Sequence, residues 1–308
     1  MKMTKLMTFR QIVEDMSEPP KPIIDDGILL EQTILAIIGP AKTGKTFLAM
    51  NIATAIASGK NFAGFNAIGS NRVLMLCSEG GYFPNRDRIK KITNGIEPSI
   101  LELIHFPEFI SLSITNDSDY NSLDVILKDI SPKILIFDPL IRFHNEEENS
   151  SNAMSGVFKR FRELIEVHKI SIILIHHSGK DVTKGPRGSS VINGEYDSAI
   201  YMKPIAGNIQ LSFDMRHVAT PDSKIVRFNG DSMWFEEADE LLNPAVSFIL
   251  EHGPITKTDL VKEFQGREMY SQSHAYRIID EALTSDLVYQ DEEKLLQIQD
   301  DDNSHQSD

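Results

Sequence analysis

The sequence predicts an α/β fold: a central, mostly parallel sheet with helices on both faces, followed by a small module at the C-terminal end. Three observations carry this expectation. Apolar runs of strand length alternate with stretches of helical spacing through the first two-thirds of the chain. One of those runs, TILAIIG, passes directly into a glycine-rich loop and then into an Ala-rich helix, the order that a parallel βα unit requires. From about residue 241 the periodicity changes to short helical segments separated by Gly or Pro.

Taken in order, residues 1–22 read as a short amphipathic arm that ends at PPKP, where proline marks a boundary. IIDDGILLEQTILAIIG contains an Asp-Gly turn and then a buried strand. FLAMNIATAIASG is helical and stops at Gly59, a C-cap glycine. RVLMLCSE (72–79) is a second apolar strand with Glu79 just beyond it, and YFPNRDRIKKITNGI is helical after its proline. LELIHFPE and SLSIT read as short strands, and 121–130 as a helix. KILIFDPL (133–140) is a third strong strand with Asp138 at its tip. A helix over 153–170 then feeds the strand SIILIHHSG (171–179). After a loop rich in Gly, Lys and Ser, strands near 197–203, 208–214 and 224–228 look antiparallel and are expected to extend one edge of the sheet.

The C-terminal segment offers three short helices, NPAVSFILEHG, TKTDLVKEFQG and SQSHAYRIIDEALTSDLV, and then YQDEEKLLQI. With polar residues on the early turns of its third helix, it fits a winged-helix-like module. The expected division is an arm at 1–22, a core at 23–238, the module at 239–297 and a disordered acidic tail at 298–308. A net charge of -14, from 45 acidic and 31 basic residues, argues against a surface coated in nucleic acid but not against a local basic channel. One cysteine, Cys77, excludes an intrachain disulfide framework and suits a reducing cytosol. The charged N-terminus has no signal-peptide core, and no run approaches the roughly 20 apolar residues of a membrane span. A soluble, cytoplasmic protein is expected.

Residues Gly39 to Thr46 match G-x-x-x-x-G-K-[ST]. In the context of strand, loop and helix, the motif describes a backbone cradle for phosphates formed by Gly39, Pro40, Ala41, Lys42, Thr43, Gly44, Lys45, Thr46 and Phe47. Lys45 can reach terminal phosphates of ATP and is expected to face solvent without ligand; the Thr46 hydroxyl can bind Mg²⁺. Asp138 ends ILIFD as a carboxylate that holds Mg²⁺ through water should, although a helix N-cap is the alternative reading. Parallel strands present their C-terminal ends to the ligand, so Glu79 lies beside the loop if strand 72–78 neighbours strand 34–38. A carboxylate there can deprotonate an attacking water; the alternative is a surface loop acid.

Glu79 after the second strand, Asp138 after the third and a polar residue after the next resemble the RecA-like P-loop arrangement. More closely, RFHNEEEN (142–149), LIHHSGK (174–180) and RGSS (187–190), in that order, resemble the plasmid RepA-type hexameric replicative DNA helicases. The resemblance spans roughly 25–215 and implies an ATP- and Mg²⁺-dependent ring that moves on single-stranded DNA. It places His177 at the sensor position and Arg187 as an arginine finger serving the neighbouring subunit, with Lys180 and Lys184 on a pore loop touching DNA. His176, which alternates to the other face, reads as structural, and no ligand spacing supports a metal at the histidine pair. NEEEN has no physical role assigned to each carboxylate; contact with an adjacent subunit is one reading. The C-terminal module lies outside the resemblance and reads either as a DNA-binding element or as a docking point for a loader or initiator protein. Alternatives to a helicase are a RecA/RadA-like recombination or repair ATPase, and a DNA-binding regulator in which ATP is a switch.

Overall fold

The computed structural model describes residues 6–19, 21–148, 150–177, 194–205, 208–238, 243–267, 270–284 and 287–298. An isolated helix α1 (Phe9–Val13), closed by a Thr8–Gln11 capping box, precedes a small hairpin of β1 (Pro22–Ile24) and β2 (Leu29–Leu30). The main sheet then begins with β3 (Ile34–Gly39), followed by α2 (Lys45–Ser58), β4 (Val73–Cys77), α3 (Tyr82–Ile92), the single turn α4 (Pro98–Leu101) and β5 (Ile104–His105). Helix α5 (Asp117–Ile130), β6 (Ile134–Asp138), α6 (Ser151–His168) and β7 (Ser171–His177) complete the parallel part. Four strands follow: β8 (Ser198–Ile205), β9 (Asn208–Met215), β10 (Lys224–Asn229) and β11 (Trp234–Glu237).

These nine strands form one sheet in the order β11-β10-β9-β8-β3-β7-β6-β4-β5. From β8 to β5 every pair is parallel; from β8 to β11 every pair is antiparallel. The sheet is therefore mixed and mostly parallel, as expected. Strand β3 shows why it lies in the centre: all six residues are buried, with Leu35 and Ile37 in one core layer and Ile34, Ala36 and Ile38 in the other. A strand covered on both faces has no polar side to spare, hence the unbroken apolar run. Helices α2 and α3 cover one face, α5 and α6 the other.

Two local expectations fail. SLSIT (111–115) is not a strand: Ile114 is buried, but Ser113 N–H donates to Asp119 and Asn116 caps α5, so polar side chains capture the backbone instead of a ladder. Strand 73–77 does not neighbour strand 34–39, because β7 and β6 lie between them.

The C-terminal segment runs α7 (Pro244–His252), β12 (Ile255–Thr256), α8 (Lys257–Gly266), α9 (Gln272–Thr284), β13 (Val288–Gln290) and β14 (Leu295–Ile298), the strands pairing as β12-β14-β13. Its apolar core, including Phe248, Leu260, Phe264 and Ile279, also takes in Ile205 and Ile225 from the main sheet and Ala238 just beyond β11. Among the described residues no helix is long and apolar enough to cross a membrane.

Candidate nucleotide site

The register of four adjacent strands builds the site. Gly39 pairs with His177 across β3 and β7, and Cys77 with Asp138 across β4 and β6. All four strands run the same way, so the residues that follow them emerge along one edge. Gly39 is required by packing: a Cβ there would lie 2.7 Å from the Met202 carbonyl oxygen of β8. Gly44 caps α2 without a side-chain hydrogen bond, which leaves the first N–H groups of that helix, and the positive end of its dipole, available to an anion.

Every residue from Pro40 to Phe47, together with Glu79, Asp138 and His177, lines one cleft of about 720 Å³. The structure thus brings together the loop, the two acids and the histidine singled out in the sequence. Glu79 reaches the cleft although its strand is three places from β3, since it stands two residues beyond Cys77 on the shared edge. Its carboxylate lies 3.7 Å from Arg142, in the short 3-10 turn (Leu140–Arg142) after Asp138.

Lys45 departs from expectation. It is 4% exposed rather than solvent-facing, and its ammonium donates to the Gly39 carbonyl at 2.8 Å and to the Pro40 carbonyl. Burial lowers its pKa to about 8, against the pull of Asp138 and Glu79 in the other direction. Burial likewise raises the pKa of Asp138, opposed by hydrogen bonds from Thr46 and Cys77. The Cys77 thiol, 3.6 Å from Asp138 Oδ2, is pushed up to about 12 by burial and by that carboxylate.

Among the described residues no group of three or more His, Cys, Asp or Glu could hold a metal by itself. The Thr46 hydroxyl and the Asp138 carboxylate, which line the same cleft, instead form a two-oxygen set beside a phosphate cradle. That fits Mg²⁺, which is commonly held by one or two protein oxygens with phosphate and water. His176 points away from the cleft, is 3% exposed and lies 3.6 Å from Glu148 of NEEEN, so at least one of those carboxylates turns inward. Lys180, Lys184 and Arg187 lie outside the described residues.

Sequence reasoning missed several cleft residues. Arg88 lines it from α3, with its guanidinium 5.1 Å from the Phe47 ring centre. The spacing Asn85, Arg88, Ile92 would have placed it on the inward stripe of that helix. Phe228 and Phe235 form the opposite wall with Phe47, at ring separations of 4.9 and 5.2 Å along the row. They lie some 180 residues beyond the loop, and nothing local signals them.

Fold and site together define the class: a P-loop ATPase with a RecA-like core. The solved structure of the ATPase domain of G40P is similar to this chain with a TM-score of 0.53 and 12% sequence identity, over 67% of this chain and 85% of that one. At that identity the likeness speaks for the fold. Residues 3–182, more than half of the sequence, match the AAA domain family, and the chain belongs to it.

Proposed function

We propose that this ATPase works as a ring-shaped motor on single-stranded DNA, a replicative helicase of plasmid or phage type. The observation that carries the chemistry is the convergence of Lys45, Thr46, Glu79, Asp138 and His177 on one cleft. In this reading the loop N–H groups and Lys45 hold the phosphates of ATP, and Thr46 and Asp138 hold Mg²⁺. When bound, the ion would neutralise negative charge on the phosphates. Glu79 takes the proton of the attacking water, and His177 responds to the γ-phosphate at the start of the segment that carries Lys180 and Lys184. Arg187 would complete the site of the next subunit in a hexamer. Support for the helicase assignment, beyond the ATPase itself, is the ordered set RFHNEEEN, LIHHSGK and RGSS.

We keep the division into arm, core, module and tail at 1–22, 23–238, 239–297 and 298–308. The order helix, strand, two helices, hairpin supports a winged-helix-like module. Four of its five Lys and Arg residues favour protein docking over duplex DNA, because they face carboxylates of the module itself: Lys257 on Asp280, Lys262 on Asp259, Arg267 on Glu263 and Arg277 on Glu281, with Lys294 the exception. Cations neutralised in this way leave no basic stripe for phosphates. A loader or initiator protein is the partner this surface fits. The test is the ATPase rate with and without single-stranded DNA, with particle mass measured in ATP and unwinding of a forked duplex followed in parallel. Stimulation by the strand, a hexamer mass and fork separation are expected. Strand exchange without unwinding would favour a recombination ATPase, and slow hydrolysis indifferent to DNA a regulatory switch.

A further inference from the structure

Helix α3 carries a polar residue that none of the motifs includes. Asn85 is 1% exposed, although it lies next to a cleft open to water. Its amide nitrogen donates to the Glu79 carbonyl at 2.8 Å and approaches Cys77 Sγ at 3.8 Å. Its Oδ1 accepts from Arg88 Nη1 at 3.0 Å. A buried amide is costly unless hydrogen-bonded, and this one is satisfied on both ends by groups at the cleft. The loop between β4 and α3 is shaped to reach it: Gly80 has φ +82°, and a Cβ there would stand 3.1 Å from both Asn85 Oδ1 and Arg88 Nη1. Glycine adopts that backbone conformation without strain and leaves room for that close approach.

We propose that Asn85 is a positioning residue for ATP hydrolysis, one buried amide that holds both the backbone carrying Glu79 and the guanidinium of Arg88. The inference rests on the reading of Glu79 as the general base. Glu79 itself is half-exposed, and among the described residues its side chain has only the long contact with Arg142, so packing there does not lock it. What is locked is its main chain, whose carbonyl accepts weakly from the Cys77 thiol at 3.4 Å and more strongly from Asn85 Nδ2 at 2.8 Å. Arg88 is held through the other end of the same group, between Gly80 and the Phe47 ring. Losing the donor end frees the base; losing both ends frees the base and the cation together. Proton transfer is sensitive to such placement, because the base must lie within hydrogen-bond reach of the water it activates.

Two substitutions separate the ends. Asn85→Asp keeps an oxygen for Arg88 but has no N–H for the Glu79 carbonyl; Asn85→Leu keeps the shape and loses both bonds. Each is made in the full-length chain, alone and with Glu79→Gln, and assayed for steady-state hydrolysis of ATP with Mg²⁺. Asn85→Asp is expected to lower kcat by about tenfold or more while KM stays within about twofold, a part of the 10²–10⁴ that a positioned base contributes. In the Glu79→Gln background the same change should alter kcat by less than about twofold, because its effect passes through Glu79. An equal fold loss in both backgrounds, or a wild-type kcat for Asn85→Asp, overturns the proposal. Glu79→Gln at the wild-type rate overturns the base assignment itself, and this proposal with it. If thermal melting shows Asn85→Leu to be unfolded, Asn85→Asp still decides the question.

Discussion

Lys45→Met should inactivate the enzyme and, without nucleotide, stabilise it. The side chain is buried with its charge, and burial moves its pKa from the ordinary 10.5 to about 8. That displacement corresponds to about 3 kcal/mol of preference for the neutral form. Water enters the cleft and screens the charge, so a discounted figure of about 1–2 kcal/mol is the realistic penalty at neutral pH. Methionine has nearly the same reach and carries no charge. It gives up the bonds to the Gly39 and Pro40 carbonyls; Pro40 lines a cleft that water can fill, and the buried Gly39 carbonyl takes part of the gain back. The expected result, in chelator and without ATP, is a melting temperature a few degrees above wild type. Hydrolysis should fall below about a tenth of wild type, since in the proposed mechanism the lysine stabilises transferred charge directly.

The pH dependence makes the test specific. Lys45 has a folded pKa below its unfolded one, so between about pH 8 and 10.5 the unfolded chain binds more protons than the native chain. Wild-type stability therefore gains from this residue as pH rises through that window. Lys45→Met lacks the gain, and its advantage should shrink towards zero by about pH 10.5. Other titrations are common to both proteins and cancel in the difference. Urea denaturation at pH 7, 8, 9 and 10 measures it. A variant less stable than wild type at pH 7, or a difference that does not change with pH, would refute the argument.

Cys77 is the sole thiol of the chain, which makes labelling unambiguous. With its pKa at about 12, a thiol reagent at pH 8 should react about 10³-fold more slowly than with the urea-unfolded chain, and rapid labelling of the native protein would contradict its burial beside Asp138. Arg187→Ala subunits should bind ATP but hydrolyse it poorly, and mixing them with Lys45→Ala subunits should restore some activity in verified mixed rings. Full activity of Arg187→Ala alone would remove the arginine from the neighbouring site.

The phosphate loop was legible because its determinants are local: a strand, two glycines and a helix start within fourteen residues, 37–50. Asp138 was legible for a related reason, since it ends an apolar run whose polarity change marks the sheet edge; His177 was singled out by the resemblance of LIHHSGK to the helicase motif. Glu79 reaches the cleft as expected, but not through adjacency to β3; a common strand direction, rather than neighbourhood, delivers it there. Asn85 and Arg88 were within reach of helical periodicity, yet a polar residue on an inward stripe reads first as an interruption of the pattern. The aromatic wall could not be read locally. Phe228 and Phe235 meet Phe47 only because the antiparallel half of the sheet folds back beside α2, a tertiary event with no signature in either segment.

That antiparallel half also bears on whether the core stands alone. Strand alternation sends neighbouring residues to opposite faces. On β8, Pro204 lines the nucleotide cleft while Ile205 is buried in the core of the C-terminal module; on β10, Phe228 lines the cleft and Ile225 packs with the module. The sheet is complete before the module begins, so a chain ending at 238 should fold. It would nevertheless expose Ile205 and Ile225, which at about 1.5–3 kcal/mol for each buried side chain amounts to roughly 3–6 kcal/mol as an upper estimate. The same strands carry the aromatic wall, so the loss should reach the site as well as the stability, with a raised KM for ATP and a smaller effect on kcat. Denaturant unfolding and steady-state kinetics of the truncated chain measure both quantities. Unchanged stability together with unchanged KM would mean that the packing of Ile205 and Ile225 against the module carries no energetic weight.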